Sequence, residues 1–491
     1  MKPLRASANS LLCAIAAAAC ACAHDSKAPS PPPSVAPADQ ATVTLSIGGA
    51  EIRPMYRELL AIDLPTITRV AIAQNIDIKQ AQERVLAARG RYESSVEAVF
   101  PVIAPSIAFQ HLEGAGQNAN GTLVLTNFSN ILPAITVQWI LNPGRAVYDI
   151  VAAKRRMEAS DQQERAVVLE TARTAAVQYY QLVRAQARVA NARRAERQSD
   201  ESLRLVDLRF KAGDALSSDQ MKARSSLASR REELLLAVNA FYRASLDLTL
   251  TLHLDPIVTL VPEPDHLSRI TLVREDLAID ALLALAVQYR PDLQEARTLL
   301  AAVQADKGGA LWGSLGPQLQ AAYSYGSIKA DAQGQTFGPD RLQKGAGGAG
   351  FALGVSTFGQ VKTANANVRS AALDVEKTLD HVRAEVVASQ QDAITQAAVI
   401  PIAGQELESA DEALRLAQAG LQAGTVLLLE VLKAESERAA AQQHYADAVA
   451  RYNQAQVNLL AALGMLTEQT LCVATISAPT AAGPSTETPA H

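Results

Sequence analysis

One stretch limits the folds open to this chain more than any other. From Asn142 to Leu254 the sequence reads as two very long helices, folded back on each other at Lys211-Ala212-Gly213-Asp214. The first is predicted from Gly144 to about Phe210, and at ~1.5 Å per residue it is on the order of 100 Å long. Ordinary globular helices have about 12 residues. A helix of this length does not fit inside a compact domain; it belongs to a coiled coil, a repeat array or the wall of something larger. Its apolar seam, Val168, Ala172, Ala175, Tyr179, Leu182 and Val189, keeps a 4-3 rhythm with polar Gln186 in line. The return helix does the same through Leu227, Leu234, Val238, Phe241, Leu248 and Leu252, interrupted by Arg231 and Ser245. Sustained 4-3 spacing is the pattern of a coiled coil. At the turn, Gly213 suits a left-handed cap, and Ser217 with Gln220 predicts a capping box.

The stretch has a twin. Ala212-Gly213 recurs as Ala423-Gly424, 211 residues later (424 minus 213), between similar helical flanks. What precedes each hairpin also recurs. A helix is expected from Asp63 toward Phe100, with Asp63 as its cap and Pro65 in its first turn. Another is expected from Asp276 to Trp312, where Tyr289-Arg290-Pro291-Asp292-Leu293 stands in the place of Gln74-Asn75-Ile76-Asp77-Ile78. Each is followed by period-2 alternation. Ile107, Phe109 and His111 alternate with Ser106, Ala108 and Gln110. After a loop at Gly114–Gly121, Ile131, Ile135, Val137, Trp139 and Leu141 oppose Ala134, Thr136 and Gln138. In the second half Leu319, Ala321, Tyr323 and Tyr325 oppose Gln318, Gln320, Ala322 and Ser324. A loop is expected from Ile328 to Lys344, then a strand with Ala349, Phe351, Leu353 and Val355 on one side. These are β-hairpins, apolar on one face. Asn142-Pro143-Gly144 caps and opens the first long helix. The second, from about Phe358 to Leu421, returns over Val426–Leu466 with the seam Val431, Ala434, Ala441, Tyr445, Ala448, Tyr452 and Leu459.

The expected division is therefore a signal peptide at 1–22 and a Pro-rich tether with an irregular segment at 23–57. A first structural repeat follows at 58–254, with its hairpin at 103–141 and its tip at 212–215. A linker at 255–275 leads to a second repeat at 276–466, with its hairpin at 317–356 and tip at 423–426. The tail, 467–491, is rich in Ala, Thr and Pro. The export signal rests on Lys2 and Arg5, the apolar run Leu11-Leu12-Cys13-Ala14-Ile15 and the small residues after it. Cys20 fits the small-residue-then-Cys pattern of a lipid-anchored protein, with Cys22 as the second choice and plain cleavage after Ala23 as the alternative.

Composition removes several functions. Net charge is −5, so no basic field invites nucleic acid. The four Cys have no metal or redox spacing, and Cys13 and Cys472 lie in the signal and near the tail. Gly345-Ala346-Gly347-Gly348-Ala349-Gly350 satisfies Gly-x-Gly-x-x-Gly, but it precedes a strand rather than a helix, so the dinucleotide reading fails. Neither His-Glu-x-x-His nor Gly-x-Ser-x-Gly occurs, and no catalytic constellation or cofactor is implied. After the signal no apolar run of ~18 residues offers a transmembrane helix. What remains is four strands, each with one apolar face, in a chain with too few large residues to cover them. Aromatic content is 4%. An apolar outer face over a polar or Gly/Ala inner face is the pattern of a membrane β-barrel. Four strands cannot close one, so the chain must oligomerise. Tyr323, Tyr325 and Trp139 suit the membrane interface as anchors.

The text of the chain resembles the TolC-type outer-membrane efflux family, including its lipoprotein subgroup. The resemblance lies in Asn75-Ile76-Asp77-Ile78 with Ala81, Arg84-Val85 and Ala87-Ala88-Arg89; in Asn142-Pro143-Gly144-Arg145; and in Arg209-Phe210-Lys211-Ala212-Gly213. It continues in Leu421-Gln422-Ala423-Gly424-Thr425 and Leu432-Lys433-Ala434-Glu435-Ser436, and covers about residues 55 to 467. It implies a mainly α fold with a membrane β part. In it a homotrimer forms a 12-stranded barrel, four strands per chain, continued by a long α-helical barrel through the periplasm. It also implies the exit duct of a tripartite export pump, with a periplasmic adaptor, an inner-membrane transporter and outer-membrane lipid as partners. By the same resemblance the tips close the duct and meet the adaptor. The contact candidates are Ala212, Gly213, Leu216, Ala423, Gly424, Thr425 and Leu427, and the gate candidates are Glu430, Lys433 and Asp214. Lys433 stands where some relatives carry a second acid, and Val426 where some carry an Arg. The bland reading of Glu430 and Lys433 is an i, i+3 ion pair on a solvated face. The rival functions are a periplasmic coiled-coil adaptor, which needs one hairpin and large β-rich modules, a structural coiled-coil lipoprotein, which has no use for half-apolar strands, and an exported enzyme.

Overall fold

The computed structural model describes residues 45–47, 50–52, 58–117, 120–213, 215–263, 267–332, 335–351, 356–467 and 470. Cys20, Cys22, the tether, Asp214 and most of the tail lie outside the described residues. Two short strands, β1 (Leu45–Ile47) and β2 (Ala50–Ile52), pair antiparallel in the segment expected to be irregular. The 5-residue strand β3 (Glu58–Ile62) then leads into α1 (Leu64–Gln74). Asp63 caps α1 by accepting from Thr66 N at 3.1 Å, with Pro65 in the first turn.

The first predicted helix is two. It breaks at Asn75, whose ψ of 131° leaves the helical region and whose side chain caps α2 (Ile76–Glu97) through the amides of Asp77 and Ile78. The second break is equivalent. Helix α5 (Ile279–Tyr289) and α6 (Pro291–Leu315) are separated at Arg290. Pro291 brings no N–H and pushes the residue before it out of the helical region.

The long helix α3 (Pro143–Ala212) has 70 residues, capped by Asn142 Oδ1 on the amide of Arg145, and returns as α4 (Ser217–Thr251). The second pair is α7 (Ser356–Gln422) and α8 (Leu428–Ala462). The expected capping box is absent: Leu216 holds the cap position without a side-chain bond, and Gln220 instead donates to Asp207 Oδ1 at 2.8 Å. The seam positions of α4 and α8 are buried with exceptions. Phe241 is half-buried, and Tyr445 is exposed at 38% rather than in the seam.

Four strands form one antiparallel sheet in the order β4 (Val102–Gln117), β5 (Leu123–Leu141), β7 (Pro317–Ala332), β8 (Gln335–Phe351). The expected long loop at Ile328–Lys344 is almost all strand, because the β7–β8 ladder continues past Ile328↔Asp340 to Ala332↔Gln335. Register puts Ile103 opposite Val137, Ile107 opposite Pro133 and Phe109 opposite Ile131, and Val137 and Ile135 opposite Tyr323 and Tyr325. The other face carries Ser106, Thr136, Gln138 and Ser324. The Gly-rich run lies inside β8. Where helices meet below the sheet they interleave tightly. A Cβ on Gly308 would fall 2.5 Å from the Tyr148 ring, and one on Gly144 2.5 Å from Trp312.

The main core sits midway along α3. Ala172, Ala175, Ala176, Tyr179 and Leu182 are surrounded there by α1, α5, the end of α8 and the segment between the halves. That segment is more than a linker. Its strand β6 (Val258–Pro262) pairs in parallel with β3, Glu58↔Val258 through Ile62↔Pro262. Ser245, an apparent interruption of the α4 seam, accepts from Leu260 N at 2.8 Å, and Tyr179 OH donates to Glu263 O at 2.7 Å. From α8, Asn453 and Gln456 bind the backbone of Ser268, Ile270, Leu272 and Val273. Five-residue strands carry too little periodicity to be seen in sequence, and their partners lie 200 residues apart (258 minus 58).

Candidate gate and docking site at the helical tips

Both turns are built in the same way. Gly213 and Gly424 take positive φ, +85° and +74°, which side-chain-bearing residues adopt at a cost. Each amide closes the last helical turn, Gly213 N on Phe210 O and Gly424 N on Leu421 O. The second tip is wound more tightly. The carbonyl of Gly420 accepts from Thr425 N, Thr425 Oγ1 and Val426 N at 2.9, 3.2 and 3.3 Å. A Cβ on Gly420 would fall 2.4 Å from Val426 Cγ2, so this turn requires Gly at a position that sequence reading passed over. Val426 fills that space.

The expected tip residues Ala212, Gly213, Leu216, Ala423, Gly424, Thr425 and Leu427 are all exposed, Leu216 at 69% and Leu427 at 75%. Two large apolar side chains are thus exposed beside the turns, the kind of feature that suits a partner surface. Glu430 lies in the first turn of α8, where the helix dipole favours an anion. Its exposed side chain has no partner among the described residues. The ion pair with Lys433 is not formed, since Lys433 Nζ stands 3.9 Å from Glu437.

The structure brings the two tips together. Arg209, in the last turn of α3, donates to Leu421 O at the end of α7 at 3.1 Å. Leu428 is buried against Val206 and Ala223, so the start of α8 plugs into the first hairpin. Between the tips lies a cleft of about 500 Å³, lined by Leu205, Arg209, Asp219, Leu421, Leu427 and Val431 among others. Two turns further in, α8 presents Glu435 to α3. It is 8% exposed and accepts from Ser202 Oγ at 2.5 Å and from Gln198 at 3.5 Å. Burial pushes its pKa up, and those hydrogen bonds with Arg230 nearby only partly oppose it. Further still, Asp447 accepts from Arg184 Nε and Nη2 at 2.6 Å, from Arg188 at 2.8 Å and from Gln443 at 2.7 Å. Burial raises its pKa, but the arginines outweigh it and hold it at about 2. Neither acid was foreseen as a contact. In sequence Glu435 and Asp447 look like any charge on a solvated helix face, and only the packing of α8 on α3 makes them internal.

A search of curated proteins found no match. Among solved structures the fold is similar to that of a membrane protein from Pseudomonas aeruginosa, with a TM-score of 0.71 and 22% identity over 82% of this chain and 92% of that one. It is similar also to the outer-membrane channel OprN, with a TM-score of 0.69 and 20% identity over 82% and 90%. The Campylobacter jejuni CmeC outer membrane channel gives 0.68 and 18% over 83% and 88%. The family model described as outer membrane efflux protein matches residues 68–252 and again 282–465, and with three-quarters of its length so matched this chain belongs to the outer membrane efflux protein family.

Proposed function

We propose that this outer-membrane efflux channel subunit works as a homotrimer, in which three four-stranded sheets close a 12-stranded barrel and the helices extend it as a hollow α-helical barrel into the periplasm. The observation that carries the reading is the sheet. Among the described residues, strands β4 and β8 are each paired on one side only, and one face of the sheet is apolar. Unpaired backbone groups in hydrocarbon cost several kcal/mol each, so both edges need partners. Two copies would give eight strands, whose interior side chains fill; three leave a lumen. The two matched stretches then correspond to two copies of one structural unit, 58–254 and 276–466, joined by 255–275.

The assembled duct is the exit of a tripartite export system, docked through its tips on a periplasmic adaptor and an inner-membrane transporter. Cys20, or Cys22, is the lipid anchor. The duct is gated where Gly213 and Gly424 turn. Engagement of the partners separates the second hairpin from the first, breaking the Arg209 contact and the Leu428 plug. Glu430 and Lys433 line the constriction, where three carboxylates in a ring favour cations, and Asp214 is the third gate candidate. The channel role needs neither cofactor nor catalytic residues.

Purification from outer membranes in detergent, followed by mass and planar-bilayer conductance, tests the assembly. A mass of three chains with channel activity is expected, and a non-conducting monomer overturns it. Glu430→Ala is expected to weaken cation preference and block by divalent cations; if both stay unchanged, Glu430 is only a surface acid.

A further inference from the structure

The sheet carries a feature that neither barrel closure nor the gate uses. Ile131 stands opposite Phe109 on β4 and opposite Lys329 on β7, so the three share a face. Toward the helices that face carries Ile107, Ile135, Tyr325, Val137 and Tyr323, the apolar band. Lys329 therefore sits at the rim of the band farther from the helices. Arg341 on β8 pairs with Ser327, two residues from Lys329 on the same side of β7, which makes Lys329 and Arg341 diagonal neighbours across one ladder. The β7–β8 register shifts between Ile328 and Ala330, an irregularity of the kind that re-aims a side chain.

Both cations are exposed, and neither has an ion-pair or hydrogen-bond partner among the described residues. Asp331, the next residue outward on that face of β7, pairs with neither, and His111 on β4 is met by Ser129 and Glu113. A cation in hydrocarbon is costly, whereas at the headgroup level each Lys or Arg attracts anionic lipid. Two adjacent, uncompensated cations continuous with a lipid-facing band match a phosphate on a membrane lipid.

We propose that Lys329 and Arg341 together bind the phosphate of an anionic lipid headgroup at the outer rim of the barrel. The inference rests on the barrel reading above, which places this rim at the external leaflet. The full chain, extracted as its assembly in detergent, is titrated separately with phosphatidylglycerol, phosphatidylcholine and inorganic phosphate while its thermal unfolding midpoint is read. Phosphatidylglycerol is expected to raise the midpoint. The Lys329→Gln/Arg341→Gln double variant should need about tenfold more of it for the same rise. Lys344→Gln removes the same charge from the opposite face, opposite Ser324, and should respond like the wild type. Lys329→Arg/Arg341→Lys keeps both charges and should keep the response, and inorganic phosphate should give none. A double variant that responds like the wild type, an equal loss in Lys344→Gln, or an equal response to inorganic phosphate overturns the proposal. Outer-membrane fractionation and conductance of the wild type separate the two readings. Failure there sinks the barrel, whereas a conducting channel without headgroup preference sinks only the lipid site.

Discussion

Asp447 and Glu435 lie on the same helix and face the same neighbour, about 18 Å apart at the helical rise, yet they do opposite things. In the middle of the α3–α8 contact Asp447 is 6% exposed and clamped by Arg184 and Arg188. Near the tip Glu435 is buried to the same degree but answered only by a hydroxyl and an amide. A buried carboxylate with two guanidinium partners holds its elements together, while one without a cation in contact is a standing cost. The contact is therefore locked at its centre and weak at its end. The opening proposed at the tips would therefore not require α3 and α8 to part along their whole length.

The largest test of that contrast is Asp447→Ala, which strands two arginines and should cost about 3 kcal/mol in chemical unfolding in detergent. The comparator is Arg231→Ala on α4, whose bonds to Glu196 and Asp200 lie at the surface, and which should cost less than about 1 kcal/mol. Equal losses would break the comparison. The next test is acid. The Asp447 pKa is depressed on folding, so its stabilisation is complete above the ordinary value of 3.8 and is lost as pH falls toward about 2. That amounts to about 2 kcal/mol, and Asp447→Asn should flatten the slope in that window.

Glu435 should behave with the opposite sign. Its pKa is raised on folding, so its contribution is complete below the ordinary value of 4.5 and is lost as pH rises through its folded value. Glu435→Gln keeps the bond from Ser202, should stabilise the neutral-pH protein by up to about 1 kcal/mol, and should remove that pH dependence. A destabilised Glu435→Gln protein would show that the tip is locked after all. The smallest expected effects are at the turns. Nothing lies within 4 Å of a Cβ built on Gly213 or Gly424, so Ala at either should cost only backbone strain, about 1 kcal/mol. A much larger loss of channel closure than of stability in either variant would sharpen the assignment of the turns to the gate.

Periodicity alone was enough for the long helices, their return at two glycines and the half-apolar strands, because each is a local pattern repeated over many residues. Asn75 and Pro291 were visible as residues, but the helix breaks they cause were read through, since apolar spacing runs on across them. The Ser217–Gln220 signature was a false local signal: Gln220 found Asp207 on the neighbouring helix instead. The tips were legible through their glycines, while Gly420, Arg209 and Glu435 were not, because what they do depends on the other hairpin.

The amino-acid pattern by itself thus determined that the chain is mostly helical, built on very long helices, supplied with half-apolar strands, and turned at Gly213 and Gly424. Only the tertiary structure decided that β3 pairs with β6 of the segment between the halves, that Ser245 and Asn453 hold that segment, and that Asp447 is clamped where Glu435 is not. The physical reason is range. Helix, strand and turn follow from residues within a few positions of one another. Whether a buried charge meets an arginine or only a serine is set by residues more than 200 positions away.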